Sequence, residues 1–241
     1  MHVIENFLDN PLEFRKVALS TPAHLWKKAP NKAWPGYRIP LPNTLYDSYF
    51  RSIKKYRSLL RGVDTAQIVM CLQWIDERYL AGCFHFDPDT YTMITYLNPN
   101  PPANSGTEVA NDAKWDPGAR GKNPKTSWGA AMDNFTRIKE LYHSSDMNPI
   151  QGFFYKKKLD LYNSRFKEPL IVPNRFNRTL IFDGPRVHRA QNFFGNKVEN
   201  SRLTLISFIR NLNEKSEEEG GLTLRCQDYS LNEEWSDMGD Q

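Results

Sequence analysis

A histidine and an aspartate lie two residues apart in HFDPDTYTMITYLN, at the start of a run of strand-forming residues. In an extended strand alternate side chains point to the same face, so His85 and Asp87 would project together while Phe86 faces the other way. An imidazole nitrogen and a carboxylate oxygen are both metal donors, so the pair predicts a metal site that needs a third donor. The alternative is a polar pair at the end of a strand.

The third donor is sought among the other histidines. His2 lies at the N-terminus, His24 in a loop and His143 near the end of a charged helix, and each is expected at the surface. His188 differs, because it follows the apolar segment RTLIFDGPRV and precedes a second predicted strand. Two histidines and one carboxylate on one face of an octahedral metal leave three positions open, which is the pattern of non-haem Fe(II) oxygenases.

A candidate anion site lies further along, in the apolar strand segment NSRLTLISFIR. There Arg202 and Thr204 share one strand face, opposite Leu203 and Leu205. Burying an arginine costs free energy unless an anion pairs with it. A guanidinium binds a carboxylate through two hydrogen bonds, and the Thr204 hydroxyl could add another. The segment therefore predicts either a carboxylate site or an arginine paired with a neighbouring Asp or Glu.

The elements that must position these residues are helices followed by short strands. FLDNPLEFRKVALS predicts a helix with Asn10 as its cap and Pro11 at its first position, and NTLYDSYFRSIKKYRSLLRG predicts an amphipathic helix beginning near Asn43. A third helix is expected over DNFTRIKELYHSS, capped by Asp133. The predicted strands are QIVMCLQWI, TYTMITYLN, PLIVP, RTLIFDG and RLTLISFIR. Residues 27–42 and 99–130 are predicted as loops, the second long enough to be a lid.

This order of elements indicates a mainly β fold with flanking helices, a β-barrel or jelly roll. We expect one domain over residues 1–212 and a mobile acidic tail over residues 213–241, in which GLTLRC could add an edge strand. The whole chain of 241 residues has a net charge of +4, so the body is more basic than the total. A basic body fits an anionic substrate, a nucleic acid or simple solubility.

Composition argues against several classes of protein. The three cysteines form no CxxC pattern, so neither a disulfide framework nor a zinc site is indicated. No stretch approaches the roughly 20 apolar residues that span a bilayer, and MHVIENFLDN lacks the features of a secretory signal. We therefore expect a cytoplasmic protein that has no membrane partner.

Taken together, these segments resemble the Fe(II)- and 2-oxoglutarate-dependent oxygenases, in particular their prolyl-hydroxylase-like branch, over about residues 67–210. HFD is similar to the H-x-D of the family, and TYTMITYLN to the strand that follows it and ends in Tyr-Leu-Asn. SGTEV is similar to a Gly-Gly-x-Thr-x-Phe turn, with Ser and Val in place of a Gly and the Phe. NRTLIFDGPRVHRA resembles the strand with the distal histidine, and IENFLDNP and WPGYR resemble segments of uncharacterised members.

The resemblance implies a double-stranded β-helix, a cupin-like jelly roll, that uses Fe(II), 2-oxoglutarate and O2. The implied metal ligands are His85, Asp87 and His188. The implied ligands of the distal 2-oxoglutarate carboxylate are Arg202, with Thr204 and Tyr96 as hydroxyl donors. Tyr96 could equally be a core aromatic. The interval from His188 to Arg202 is longer than is usual for the family, so Arg210 or Arg189 could take the place of Arg202.

The implied activity is hydroxylation of a C–H bond, with release of succinate and CO2. Asp87 favours this outcome, because related halogenases replace the acid with a small residue. A peptidyl residue such as proline is the first expectation for the substrate, and a free amino acid or small metabolite is the second. The candidate walls of a substrate site are Trp115, Arg120 and Trp128 in the 99–130 loop and Trp34 and Arg38 in WPGYR. All five could equally lie in surface loops.

Three other functions stay open at this point. A catalytically silent jelly roll could bind a sugar or a protein. A nucleic-acid demethylase would share H-x-D…H, but Arg202 and Arg210 are spaced more widely than in that family and its Asn-x-Tyr signature is absent before His85. YKKKLDLYNSRFK mixes basic and aromatic residues as a nucleic-acid surface does, or as a solvated helix does. A zinc hydrolase with the same ligands would lack a clear general base.

Overall fold

The computed structural model of the protein describes residues 1–28, 35–79, 82–87, 89–114, 148–214 and 222–226. The helices of these stretches are α1 (Pro11–Ser20), α2 (Tyr46–Lys55) and α3 (Pro149–Asn163). The strands are β1 (His2–Ile4), β2 (Tyr37–Pro40), β3 (Thr65–Ile75), β4 (Tyr91–Tyr96), β5 (Thr107–Lys114), β6 (Leu170–Val172), β7 (Thr179–Asp183), β8 (Arg186–Ala190), β9 (Arg202–Asn211) and β10 (Thr223–Cys226). Among these described helices, none has the length and apolar character needed to cross a membrane.

The larger sheet has the strand order β1-β7-β4-β9-β3-β10, with β2 also paired to β3. Strand β3 is antiparallel to β9 from Ala66, opposite Asn211, to Ile75, opposite Arg202. The other edge of β3 is shared, because β10 runs parallel to its first residues and β2 antiparallel to its last. The predicted edge strand in GLTLRC is therefore β10, and it belongs to the main sheet.

The smaller sheet has the order β6-β5-β8 and packs against the inner face of the larger one. Ile94 and Tyr96 of β4 lie in one buried cluster with Val109 of β5 and Val172 of β6. Helices α1 and α2 cover the outer face, where Phe14 and other helix residues pack into the main hydrophobic core. The prediction of a mainly β fold with flanking helices is confirmed.

Alternation along β9 separates the core from the space between the sheets. Leu203 and Leu205 are fully buried in the core under the helices. Arg202 and Thr204 point to the opposite side, where they line a cavity. This division is what a two-residue strand period requires. It places the polar face of β9 towards the smaller sheet.

Two strands lie where the sequence predicted loops. Strand β5 is within the predicted 99–130 loop, and its Glu108 accepts a 2.6 Å hydrogen bond from Arg189 of the neighbouring β8. Strand β2 is within the predicted 27–42 loop and pairs with β3, with Pro40 at its end, where a missing amide hydrogen is tolerated. Both strands depend on partners far along the chain, which composition does not reveal.

The first two predicted helices are confirmed in position, because α1 begins at Pro11 directly after Asn10 and α2 lies within NTLYDSYFRSIKKYRSLLRG, but their caps differ from the prediction. The side chain of Asn10 makes no cap bond to the helix backbone, and its amide instead donates to the Glu13 carboxylate at 3.3 Å. Asn43 lies in a short 3-10 turn ahead of α2. Helix α3 was not predicted with these bounds, although Asn148 and Gln151 form a reciprocal capping box at its start. The predicted helix capped by Asp133 lies outside the described residues.

Candidate metal centre

The HFD segment is held by backbone hydrogen bonds next to β8. The His85 amide donates to the His188 carbonyl at 2.9 Å, and the His188 amide donates back at 2.8 Å. The Asp87 amide donates to the Gly184 carbonyl at 2.9 Å. Gly184 must be a glycine, since an added Cβ would lie 1.9 Å from the Asp89 carbonyl oxygen. The segment makes an isolated bridge here, where the sequence predicted a regular strand.

This bridge brings the three predicted metal ligands together. The distance from His85 Nε2 to Asp87 Oδ1 is 4.0 Å, and that from His188 Nε2 to Asp87 Oδ2 is 3.4 Å. One donor atom from each residue lies within 4.8 Å of the other two. With metal–donor bonds of about 2.1 Å, two donors on one ion are at most about 4.2 Å apart. The two measured distances satisfy that limit.

Both imidazoles are oriented by backbone carbonyls. His85 Nδ1 lies 2.8 Å from the Cys83 carbonyl oxygen, and His188 Nδ1 lies 2.9 Å from that of Arg186. A carbonyl oxygen only accepts, so each Nδ1 carries a hydrogen, and in the neutral form of each imidazole the lone pair is then on Nε2. Metal-binding histidines are held in this way in proteins. The donor set therefore fits a metal ion.

Burial sets the charges of the ligands. It raises the pKa of the Asp87 carboxyl, while the charge of His85, a 2.6 Å hydrogen bond from Thr92 and the charge of Arg38 oppose the rise. Burial lowers the pKa of His188 to about 4, so this imidazole is neutral at pH 7. A neutral imidazole is the form that binds metal. A cation between the donors would also offset the cost of burying the carboxylate.

Arg202 lines the same cavity and is 3% exposed. Its guanidinium donates to the carbonyl oxygen of Ser105, to that of Gly106 at 3.2 Å and to Thr107 Oγ1 at 3.4 Å. The guanidinium carbon lies 5.3 Å from the centre of the Tyr96 ring. These contacts hold the arginine between the sheets, where it lines the cavity.

Tyr96 packs behind Thr107 and Arg202, which line the cavity. Its hydroxyl donates to Thr107 Oγ1 at 2.7 Å, and burial raises its pKa. Thr107, which lines the cavity, therefore accepts from both Tyr96 and Arg202, so its own hydroxyl hydrogen can point to a ligand. Thr107 was not singled out from the sequence, although it is the threonine of the SGTEV turn. The predicted role of Tyr96 as a direct hydroxyl donor remains a prediction.

Arg189 and Arg210, the two alternatives to Arg202 as the carboxylate ligand, form ion pairs with other residues. Arg189 forms an ion pair with Glu108 at 2.6 Å, and Arg210 forms one with Asp89 at 3.4 Å while its side chain is 44% exposed. Among the described residues that line the cavity, the arginines are Arg202 and Arg38. The geometry therefore favours Arg202 for an anion, and it also brings Arg38 of the WPGYR segment to the cavity wall. Trp34 of that segment lies outside the described residues. The residues proposed for the lid, Trp115, Arg120 and Trp128, also lie outside them.

Comparison with solved structures decides the fold. The non-haem α-ketoglutarate-dependent carbocyclase SnoK, from nogalamycin biosynthesis, aligns with 93% of this chain and with 88% of its own length. The sequence identity is 11% and the TM-score is 0.52. HygX from Streptomyces hygroscopicus, solved with nickel, 2-oxoglutarate and hygromycin B, matches 90% over 84%, with 9% identity and a TM-score of 0.50. The chain has the double-stranded β-helix fold of the 2-oxoglutarate-dependent non-haem iron enzymes.

The resemblance inferred from the sequence is thus confirmed at the level of the fold. A Pseudomonas putida prolyl-4-hydroxylase matches 87% of this chain over 91% of its own, with 11% identity and a TM-score of 0.44, which supports no argument about a branch. No protein-family model and no curated protein matches the chain. The roles of individual site residues therefore depend on the geometry of this protein.

Proposed function

We propose that the protein is an Fe(II)- and 2-oxoglutarate-dependent oxygenase that hydroxylates a peptidyl residue, such as proline, or a small metabolite. One observation carries the proposal. A single cavity is lined by three converging metal donors, His85, Asp87 and His188, and by a buried arginine, Arg202. When bound, Fe(II), 2-oxoglutarate and O2 supply the oxidation, with release of succinate and CO2.

The metal would be held by the two Nε2 atoms and one Asp87 oxygen. Both lone pairs already face Asp87, because the Nδ1 hydrogens are used by backbone carbonyls. Thr92 donates to Asp87 Oδ2, which favours the charged form of the carboxyl and restrains its plane. Three protein ligands leave room on an octahedral metal for the cosubstrate and O2.

The cosubstrate would bridge the metal and Arg202. Thr107 lies two positions along β5 from Val109, the Cα partner of His188. Two strand residues span about 7 Å, a distance that a five-carbon dicarboxylate can bridge. Arg202 would then bind the distal carboxylate, with the hydroxyls of Thr107 and Thr204 as further donors.

Hydroxylation is proposed over other outcomes because Asp87 occupies the position of a third protein ligand. The fold alone does not decide the reaction, since the similar structure SnoK is described as a carbocyclase. Product mass separates the two outcomes, because a hydroxylated product gains one oxygen atom and a cyclised product loses two hydrogens.

The test begins with binding. Mn(II) should raise the melting temperature, and 2-oxoglutarate should raise it further only when Mn(II) is present, since a ligand that binds the folded state stabilises it. Succinate formation with Fe(II) should then be lost in His85→Ala and Asp87→Ala. Arg61→Gln, at an exposed position, is the matched control and should behave as wild type. Unchanged turnover in both ligand variants would rule out the proposed metal site, and no response to metal would leave the catalytically silent binding module as the better function.

A further inference from the structure

A second buried guanidinium, that of Arg38, lines the cavity at a different place from Arg202. Arg38 of β2 is the Cα partner of Gln73 in β3, and Gln73 is the Cα partner of Thr204 in β9. Directly opposed residues of antiparallel strands present their side chains on the same face. All three line the cavity, so they form a polar row across the larger sheet.

Arg38 and Arg202 lie on two different strands of the larger sheet, β2 and β9. Arg202 is bonded to carbonyl oxygens at residues 105 and 106, next to the smaller sheet. Arg38 lies two strands from Thr204 in the larger sheet, so the backbones of Arg38 and Thr204 are about 10 Å apart. Arg38 and the metal donors His85, Asp87 and His188 line the same cavity. The backbone of Arg38 is therefore two strands away from that of Arg202, and both residues share the cavity with the three metal donors.

The chemistry of the cavity indicates what Arg38 would recognise. Arg38 is 4% exposed, and apolar side chains such as Ile75 and Phe193 line the cavity with it. An arginine on the wall of such a cavity can bind a carboxylate through two hydrogen bonds. Neither carboxylate of 2-oxoglutarate, as placed above, uses Arg38. Gln73 Nε2 donates to the Pro35 carbonyl at 3.2 Å, which fixes its amide plane beside Arg38.

We propose that Arg38, positioned beside Gln73, binds a carboxylate group of the substrate. The substrate is then a small molecule with a free carboxylate and an apolar part, such as a free amino acid or another organic acid, and not an internal residue of a peptide. This inference rests on the proposed function, which assigns the metal and Arg202 to the cosubstrate. A carboxylate held at Arg38 would orient a C–H bond of the same molecule towards the metal.

The test uses acetate as a carboxylate probe and acetamide as its neutral counterpart. The full chain, with isotope-labelled arginine, is loaded with Zn(II) and 2-oxoglutarate, and the Nε–H resonance of Arg38 is followed by NMR. The Arg38→Lys spectrum assigns that resonance. Acetate should shift it with saturable, millimolar affinity, and acetamide should not. A resonance that responds to neither probe, or equally to both, overturns the proposal.

Variants separate the carboxylate site from the cosubstrate site. In Gln73→Glu the new carboxylate lies opposite Arg38 and should weaken acetate binding at least tenfold, while 2-oxoglutarate affinity stays within about twofold of wild type. Arg61→Gln, which removes one exposed positive charge, should change neither affinity. A tenfold loss of 2-oxoglutarate affinity in Gln73→Glu or Arg38→Lys would place Arg38 in the cosubstrate site and overturn the proposal.

The failure of the proposed function gives a different result. If 2-oxoglutarate does not bind the Zn(II)-loaded wild-type chain, the oxygenase assignment fails. The acetate titration of the metal-loaded chain still reports on Arg38 by itself. A saturable acetate shift in that case would retain a carboxylate site in a protein that is not an oxygenase.

Discussion

Replacing Arg202 with lysine tests the cosubstrate site most directly. Lysine keeps the positive charge but loses the planar fork that can bind a carboxylate through two hydrogen bonds. It also removes the donors to the Gly106 carbonyl and to Thr107. The loss of one hydrogen bond to a charged group costs about 1.5–3 kcal/mol. At about 1.4 kcal/mol for each factor of ten, the affinity for 2-oxoglutarate should fall about 10- to 150-fold.

The assay is calorimetric titration of 2-oxoglutarate into the Mn(II)-loaded protein. The Mn(II) affinity should stay close to wild type, because Arg202 is not among the three converging donors. Arg210→Lys is the matched control, since Arg210 lies on the same strand with its side chain 44% exposed. The reasoning is refuted if Arg202→Lys keeps its 2-oxoglutarate affinity, or if it loses Mn(II) binding while the unliganded fold is intact.

Two further predictions concern residues that support the ligands. Thr92→Val removes the 2.6 Å hydrogen bond to Asp87, so the pKa of that carboxyl should rise further. Mn(II) affinity should then fall about 10- to 100-fold relative to wild type, with a larger loss at pH 6 than at pH 8. Mn(II) titrations in which the variant and the wild type have equal affinities at both pH values would contradict this. Tyr96→Phe should weaken 2-oxoglutarate binding less than Thr107→Val does, because Thr107 lines the cavity and the Tyr96 hydroxyl donates to Thr107 from behind it. The reverse order in the same titration would make Tyr96 a direct ligand.

Much of the site was accessible from local sequence patterns. The two-residue spacing of His85 and Asp87 and the alternation of Arg202 and Thr204 with leucines depend only on the strand period. The choice of His188 followed from its position between two apolar strand segments, and the structure brings it to the other two donors. Their roles as ligands remain predictions that the binding experiments test.

The remaining features were hidden because their causes are not local. Strand β5 is polar and irregular in sequence, and it exists because β6 and β8 satisfy its backbone on both sides. Thr107 becomes a cavity residue only through this pairing. Gln73 was not singled out within the predicted strand QIVMCLQWI, and its partners Arg38 and Thr204 come from distant segments.

The sequence by itself determined which residues could be ligands and which faces of the strands would be polar, because side-chain type and the two-residue period are local properties. Tertiary structure alone decided which arginines reach the cavity, where the Tyr96 hydroxyl points and how close His188 comes to His85. The physical reason is that these outcomes depend on register between distant strands. Register is set by burial and backbone hydrogen bonding over the whole sheet.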